Sequence, residues 1–260
     1  MLLVMALLAV VWISMILIEI ESSPLLRDTP SAAEVGLQLG RCLMALGLVG
    51  LGLLAIVRVP SRASSIFTTF AISASLFFAG PPPVSNLQLR EIVWLVYLIA
   101  GGMLSTAALL QFVSIFPEPM RWAQRRGAAI LIYLPVALAV SLALWMNIVQ
   151  SPNFELAGLA YVFHLLHSWQ SRLYLGLVLV LIFVRYLRAS PQQRRSSGLD
   201  LILLGTGAGL IPWTIVSLGE LLLPSLRSSQ GIGLGVALLL VVFFPMGLFS
   251  ALLHSSEPES

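Results

Sequence analysis

The chain has 260 residues, of which 58% are hydrophobic and only 10% charged, with a formal net charge of +3. A soluble domain carries about a quarter charged residues, so this composition excludes a water-covered surface and leaves lipid as the solvent. Lysine is absent and all 14 basic residues are arginine; they sit beside apolar stretches, where membrane orientation and anionic head groups account for them and nucleic-acid binding is excluded.

A helix needs about 20 apolar residues to cross some 30 Å of hydrocarbon. Eight candidates follow one another: 2–20, 36–57, 65–79, 92–116, 128–149, 173–186, 199–223 and 232–253. The first has no positive n-region and no small-residue cleavage site before Glu21. It reads as a retained helix, not a signal peptide. Residues 21–34 hold Pro24, Asp28 and Pro30 and predict an irregular loop. Cys42, the sole cysteine, lies inside the second span, which excludes an intrachain disulfide and predicts a buried thiol.

The third span is short and borrows Arg62–Ser64; Gly80 with Pro81, Pro82 and Pro83 ends it. The fourth closes at Phe116-Pro117 before a basic loop, and the fifth carries Pro135. Residues 150–170 then predict a loop with an interfacial helix over the apolar piece 156–166. The sixth span is short as well and borrows 169–172, with Arg172 snorkelling to the interface. Merging either short span with a neighbour breaks an alternation in the loops. Arg58, Arg62, Arg121, Arg125, Arg126, Arg185, Arg188, Arg194 and Arg195 fall in every second gap, against Arg27, Arg90, Arg172 and Arg227 in the others. Positive charge stays cytoplasmic. The expectation is therefore an all-α polytopic protein of about eight transmembrane helices with both termini cytoplasmic, in a bacterial inner membrane. It forms a single membrane domain over 1–253, with a short tail at 254–260.

Residues 47–58 and 174–185 echo each other, as do Phe116-Pro117 and Phe244-Pro245. A tandem duplication and a chance likeness of leucine-rich helices both fit.

Ionisable groups in hydrocarbon are expensive, so each is a candidate site. Arg41, a turn inside the second span, is predicted to pair with Glu19 or Glu21 and so lock the first hairpin. No acid lies near a midplane, which argues against a proton path. His164 and His167 stand three apart on an outer face beside Trp169. They read as interfacial anchors and as a candidate ligand surface; no Cys, Asp or Glu set accompanies them, so no metal is expected. Gly205/Gly209 and Gly231/Gly235 resemble nucleotide loops in spacing, yet neither follows a strand or carries a lysine. As small-xxx-small pairs they predict close helix packing. There is no serine–histidine–acid set, so the expectation is no catalysis and no cofactor. Whether a pigment, haem or lipid is bound stays open.

Four segments carry a resemblance. They are LLQFVSIFP (109–117), Arg194-Arg195 leading into LILLGTGAGLIPW (201–213), FFPMGLFSALLH (243–254), and VRVPSRASSIFTTFAISASLFF (57–78). The first three, in that order, resemble the multi-helix N-terminal membrane region of competence-type (quorum-sensing) bacterial sensor histidine kinases and related phosphatase regulators, and 57–78, an arginine-bearing loop entering a phenylalanine-rich helix, fits the same layout. The resemblance implies a sensing module that passes its state to a separate partner. A phosphoacceptor motif and an ATP lid have no counterpart in these 260 residues, so kinase activity is not implied. Gln111 stands where a histidine is expected at times, which leaves ligand contacts unassigned. Arg121, Arg125, Arg126, Arg194 and Arg195 are the expected contacts to a partner's carboxylates or to anionic lipid. The other readings are an accessory subunit of a larger membrane complex and a small transporter. Expected partners are membrane lipids with a second protein or a second copy of the chain.

Overall fold

The computed structural model describes residues 2–22, 32–82, 87–125, 127–149, 156–212, 214–215 and 240–256. The described residues are helical throughout, without a strand. In chain order they form α1 (Leu2–Ser22), α2 (Ala32–Arg58), α3 (Arg62–Ala79) and α4 (Leu87–Val96), which passes through a π-helical stretch (Tyr97–Met103) into α5 (Leu104–Ile115). Then come α6 (Ala128–Val149), α7 (Leu156–Arg188), the short α8 (Pro191–Ser196), α9 (Leu199–Gly205) with a second π-helical stretch (Thr206–Leu210), and α10 (Phe243–His254). Five helical segments are long and apolar enough to cross a membrane: Gln38–Arg58, Arg62–Ala79, Ile92–Ile115, Ala128–Trp145 and Val162–Arg188. Three shorter apolar helices, Met5–Ile16, Leu199–Leu210 and Phe243–His254, fall within the remaining expected spans.

Local chemistry sets the ends of α3. Ser61 caps its start, the hydroxyl oxygen accepting the amide of Ser64 at 3.1 Å. At the other end Gly80 adopts φ +85°, a left-handed conformation that suits glycine, and its amide bonds the Leu76 carbonyl at 3.2 Å. Prolines follow and cannot continue the helix.

Helix α7 departs from the expectation of an interfacial helix followed by a separate span. It runs unbroken for 33 residues, about 50 Å at 1.5 Å per residue. Nothing in 156–188 breaks a helix, since proline is absent. The polar step Gln170–Arg172 stays helical because helix backbone bonds do not depend on side-chain polarity. Gln170 turns inward and donates to the Met103 carbonyl at 3.0 Å, which ties α7 to the first π-helical stretch.

The core is centred on α3, which packs most extensively against α2 and α5 and also touches α1, α10 and the first π-helical stretch. Phe67, fully buried, lies 5.7 Å from Phe112 and 6.4 Å from Phe249 between ring centroids. On the α2 side, glycine removes the obstacle to close approach. A Cβ on Gly52 would stand 3.1 Å from the Ala71 Cβ, and in that gap the Thr68 hydroxyl donates to the Gly52 carbonyl at 2.6 Å.

Candidate ligand-binding chamber

A chamber of about 230 Å³ lies between α2, α3, α5, α7 and the flanks of the second π-helical stretch and α10. Its walls are mainly apolar, with Leu48, Phe70, Phe77, Leu109, Leu175 and Phe244 prominent. Polar groups enter from two helices, Ser105 and Thr106 from α5, and His167, Ser168, Ser171 and Arg172 from α7. The hydroxyls of Ser105 and Thr106 already donate to the Gly102 carbonyl, at 2.8 and 3.2 Å. Ser171 Oγ sits 3.1 Å from His167 Nδ1. No acidic side chain is among the described lining residues.

The chamber owes its shape to the π-helical turn. Gly101 brings that turn onto α3, where an added Cβ would stand 3.0 Å from the Phe77 amide nitrogen. Gly102 faces the His167 ring so closely that a Cβ would overlap it. The ring is thus held between Gly102 and the Phe77 ring, which is tilted 52° to it at 5.9 Å between centroids. π-Helical turns recur at functional sites because they displace backbone from the regular register.

The predicted surface of His164, His167 and Trp169 divides around α7. His164 and Trp169 are exposed, whereas His167 is 9% exposed and lines the chamber. A three-residue step turns a helix by about 60° short of a full turn, enough here to put one histidine outside and the other within. Among the described residues no cluster of His, Cys, Asp or Glu is able to hold a metal ion.

Arg41 lies on α2, its Nε buried and without a hydrogen-bond partner among the described residues. Glu19 and Glu21 occupy the last turn of α1, and their side chains lie outside the described residues. The end of the first hairpin is held elsewhere by neutral bonds. Trp12 Nε1 donates to the Gly80 carbonyl at 2.8 Å and Gln38 Nε2 to the Ala79 carbonyl at 3.3 Å. Gly205 and Gly209 both face α10, where added Cβ atoms would stand 2.7 Å from the Phe243 carbonyl oxygen and 2.8 Å from the Phe244 nitrogen. Their counterpart on α10, absent from the sequence reading, is Gly247, opposite the Leu201 carbonyl and Gly205. Gly231 and Gly235 lie outside the described residues.

Of the loop arginines, Arg121, Arg125 and Arg195 are exposed, and Arg126 lies outside the described residues. Arg194 instead turns back on the protein, its guanidinium 4.2 Å over the Tyr186 ring and its Nε donating to the Ala189 carbonyl at 3.0 Å. Arg185 makes the contact that the loop pattern concealed. Its guanidinium donates to the carbonyls of Ser114 (2.9 Å), Glu118 (2.7 Å) and Phe116. A helix leaves its last carbonyls without partners, and here Pro117 and Pro119 supply no amide hydrogen to answer them. Arg185 fills that need at Phe116 and Glu118, joins the Met120 amide at the Ser114 carbonyl, and clasps α7 to the end of α5. Gln111, in the place where the family resemblance expects a histidine at times, is buried and accepts the Tyr133 hydroxyl at 2.8 Å, joining α5 to α6.

Chamber and clasp are built on the same two helices. Along α5, Leu109 in the chamber wall is about 8 Å from Ser114, and along α7, Leu175 is about 15 Å from Arg185. Continuous helix joins the two levels on both α5 and α7. No protein-family model, curated protein or solved structure matches this chain.

Proposed function

We propose that the chain is a non-catalytic sensing module of a bacterial cytoplasmic membrane, one that holds a small, mainly apolar ligand in the chamber and passes its state to a separate partner. The single observation that carries this reading is the shared framework of α5 and α7, with the chamber at one level and the Arg185 clasp at the next. It agrees with the likeness to the membrane region of sensor kinases, in which signal and output reside in different segments. On this reading the loop 117–125 and the exposed Arg121 and Arg125 face the cytoplasm and meet the partner. A relay needs a ligand that distinguishes two arrangements of the helices; the chamber offers one by changing what separates α5 from α7.

Hydrogen–deuterium exchange in nanodiscs tests the relay. Ala74 lies in the chamber wall, 3% exposed, and Ala74→Phe fills the space without a ligand. Filling should change amide exchange in 117–125 in the otherwise native chain and leave it unchanged when Arg185→Gln has opened the clasp. Exchange at 117–125 that ignores the filled chamber, in a variant that still melts cooperatively, removes the relay.

A second reading, an accessory subunit of a larger membrane complex, draws on the broad apolar face of α6, where Ile130, Leu131, Leu138 and Trp145 are all at least 60% exposed. A partner protein suits such a face as well as lipid does.

A further inference from the structure

We infer that the chamber takes a single-chain amphiphile with an anionic head, the head at Arg172 and the acyl tail beside Phe70 and Phe244. The inference rests on the chamber being a ligand site and adds the chemistry of the ligand.

Charge complementarity sets the head. The described lining contains one arginine, one histidine and no carboxylate, so it offers nothing to a cationic amine and a fixed positive charge to an anion. Ser105 and Thr106 have spent their hydrogens on the Gly102 carbonyl. Arg172 has not. The residue is exposed where it lines the chamber, its guanidinium has no hydrogen-bond or ion-pair partner among the described residues, and its planar fork matches a carboxylate or phosphate bidentately.

Depth sets the arrangement of head and tail. Arg172 precedes Arg188 by 16 residues on one unbroken helix, about 24 Å along the axis. Across a hydrocarbon core about 30 Å thick, two arginines so spaced reach opposite interfaces. Arg172 then stands nearer the outer interface than Phe70 and Phe244, while Phe77 packs on His167, five residues nearer that interface still.

Volume sets the tail. An apolar cavity of about 150 Å³ holds benzene, six carbons. The chamber's 230 Å³ scales by the same ratio to roughly nine carbons, and because the chamber is partly open a longer chain extends out of it. A free medium-chain acid and the chain of an anionic phospholipid share this chemistry.

The test uses the full chain in phosphatidylcholine nanodiscs and a diazirine-bearing decanoate as photoprobe, with labelled peptides read by mass spectrometry. Labelling should fall in 70–78 and 102–109, disappear in Ala74→Phe, and be competed at least tenfold better by decanoate than by decylamine or decanol. Arg172→Gln should weaken decanoate competition about tenfold, the scale of one charge-assisted hydrogen bond, and leave decanol unmoved. Suppression of labelling by phosphatidylglycerol in the nanodisc, at concentrations where free decanoate does little, also supports the anionic head and assigns the source to lipid. Equal competition by decanoate, decylamine and decanol overturns the head while the chamber stands. Absence of chamber labelling by the decanoate photoprobe and by a diazirine-bearing decanol alike, in a protein that melts cooperatively, overturns the chamber reading along with the inference.

Discussion

Helices α3 and α6 reverse the rule by which soluble proteins are read. The α3 span is the least hydropathic of the five, yet 56% of it is buried; the α6 span is the most hydropathic, yet only 22% is. In lipid, leucine gains little by leaving the surface, so helices associate where backbones come close and polar groups find partners. Helix α3 supplies both requirements. Ser64, Thr68 and Ser75 are fully buried with Ala71 and each hydroxyl has a carbonyl partner, Thr68 Oγ1 donating toward Gly52 and Ser64. Helix α6 turns only a narrow stripe inward, Ala128, Ile132, Val136 and Ala139, and leaves its large side chains outside. Low hydropathy thus goes with the centre at α3 and high hydropathy with the rim at α6, whereas the α7 span, low in hydropathy and only 22% buried, does not follow that order.

The comparison breaks most visibly at the α2–α3 seam. Gly52→Leu drives a side chain into the space held by Ala71 and Thr68, where even a Cβ meets Ala71 at 3.1 Å and backbone at 3.4 Å. Overpacking of this kind costs about 3 kcal/mol. The expected outcome is a clear fall in melting temperature and in the monodisperse fraction on size exclusion. A variant that melts with the native chain would mean that α2 and α3 separate freely, against the close approach at Gly52.

A smaller effect tests whether hydroxyls contribute to the seam beyond fitting it. Thr68→Val keeps the shape and removes the 2.6 Å bond to the Gly52 carbonyl. Hydrogen bonds between membrane helices are worth about 0.6 kcal/mol on average and about 1.7 at most. The expected loss is therefore about 1 kcal/mol in a reversible unfolding titration. A loss nearer that of Gly52→Leu would make hydrogen bonding, not close approach, the main tie between these helices.

What was legible in the residues follows the same division. Loop arginines and apolar lengths expose the rim, and they locate the long helices from 38 to 145 within a few residues. The interior is written in residues that look like ends. Gln170–Arg172 reads as the polar boundary of a span, whereas Gln170 bonds inward to Met103 and α7 continues through it. His164 and His167 are equivalent on a helix whose apolar residues run all round, and only the neighbours Gly102 and Phe77 single out His167. Arg185 looked like one more loop charge. The signal that singles it out is Phe116-Pro117-Glu118-Pro119 closing α5, a run of carbonyls short of amide donors, and it becomes informative once α7 is known to end beside it.

The smallest expected effect is the most discriminating, because it asks what covers α6. Leu131 and Leu138 are 69% and 61% exposed. If lipid alone surrounds them, truncating either exchanges a leucine–lipid contact for a lipid–lipid one. Leu131→Ala and Leu138→Ala should then shift stability by less than about 0.5 kcal/mol, the range of substitutions remote from any packed contact. The same two changes should leave co-purifying proteins in a mild detergent as they are in the native chain. If another membrane protein docks on α6, the truncations remove packed contacts from that interface, and the partner should dissociate while the isolated chain melts unchanged. Melting and co-purification measured side by side thus separate a rim that faces lipid, as the sensing-module reading requires, from one buried in a larger assembly. Loss of a stoichiometric partner on Leu138→Ala would favour the accessory subunit and move the working surface of this protein from the chamber to α6.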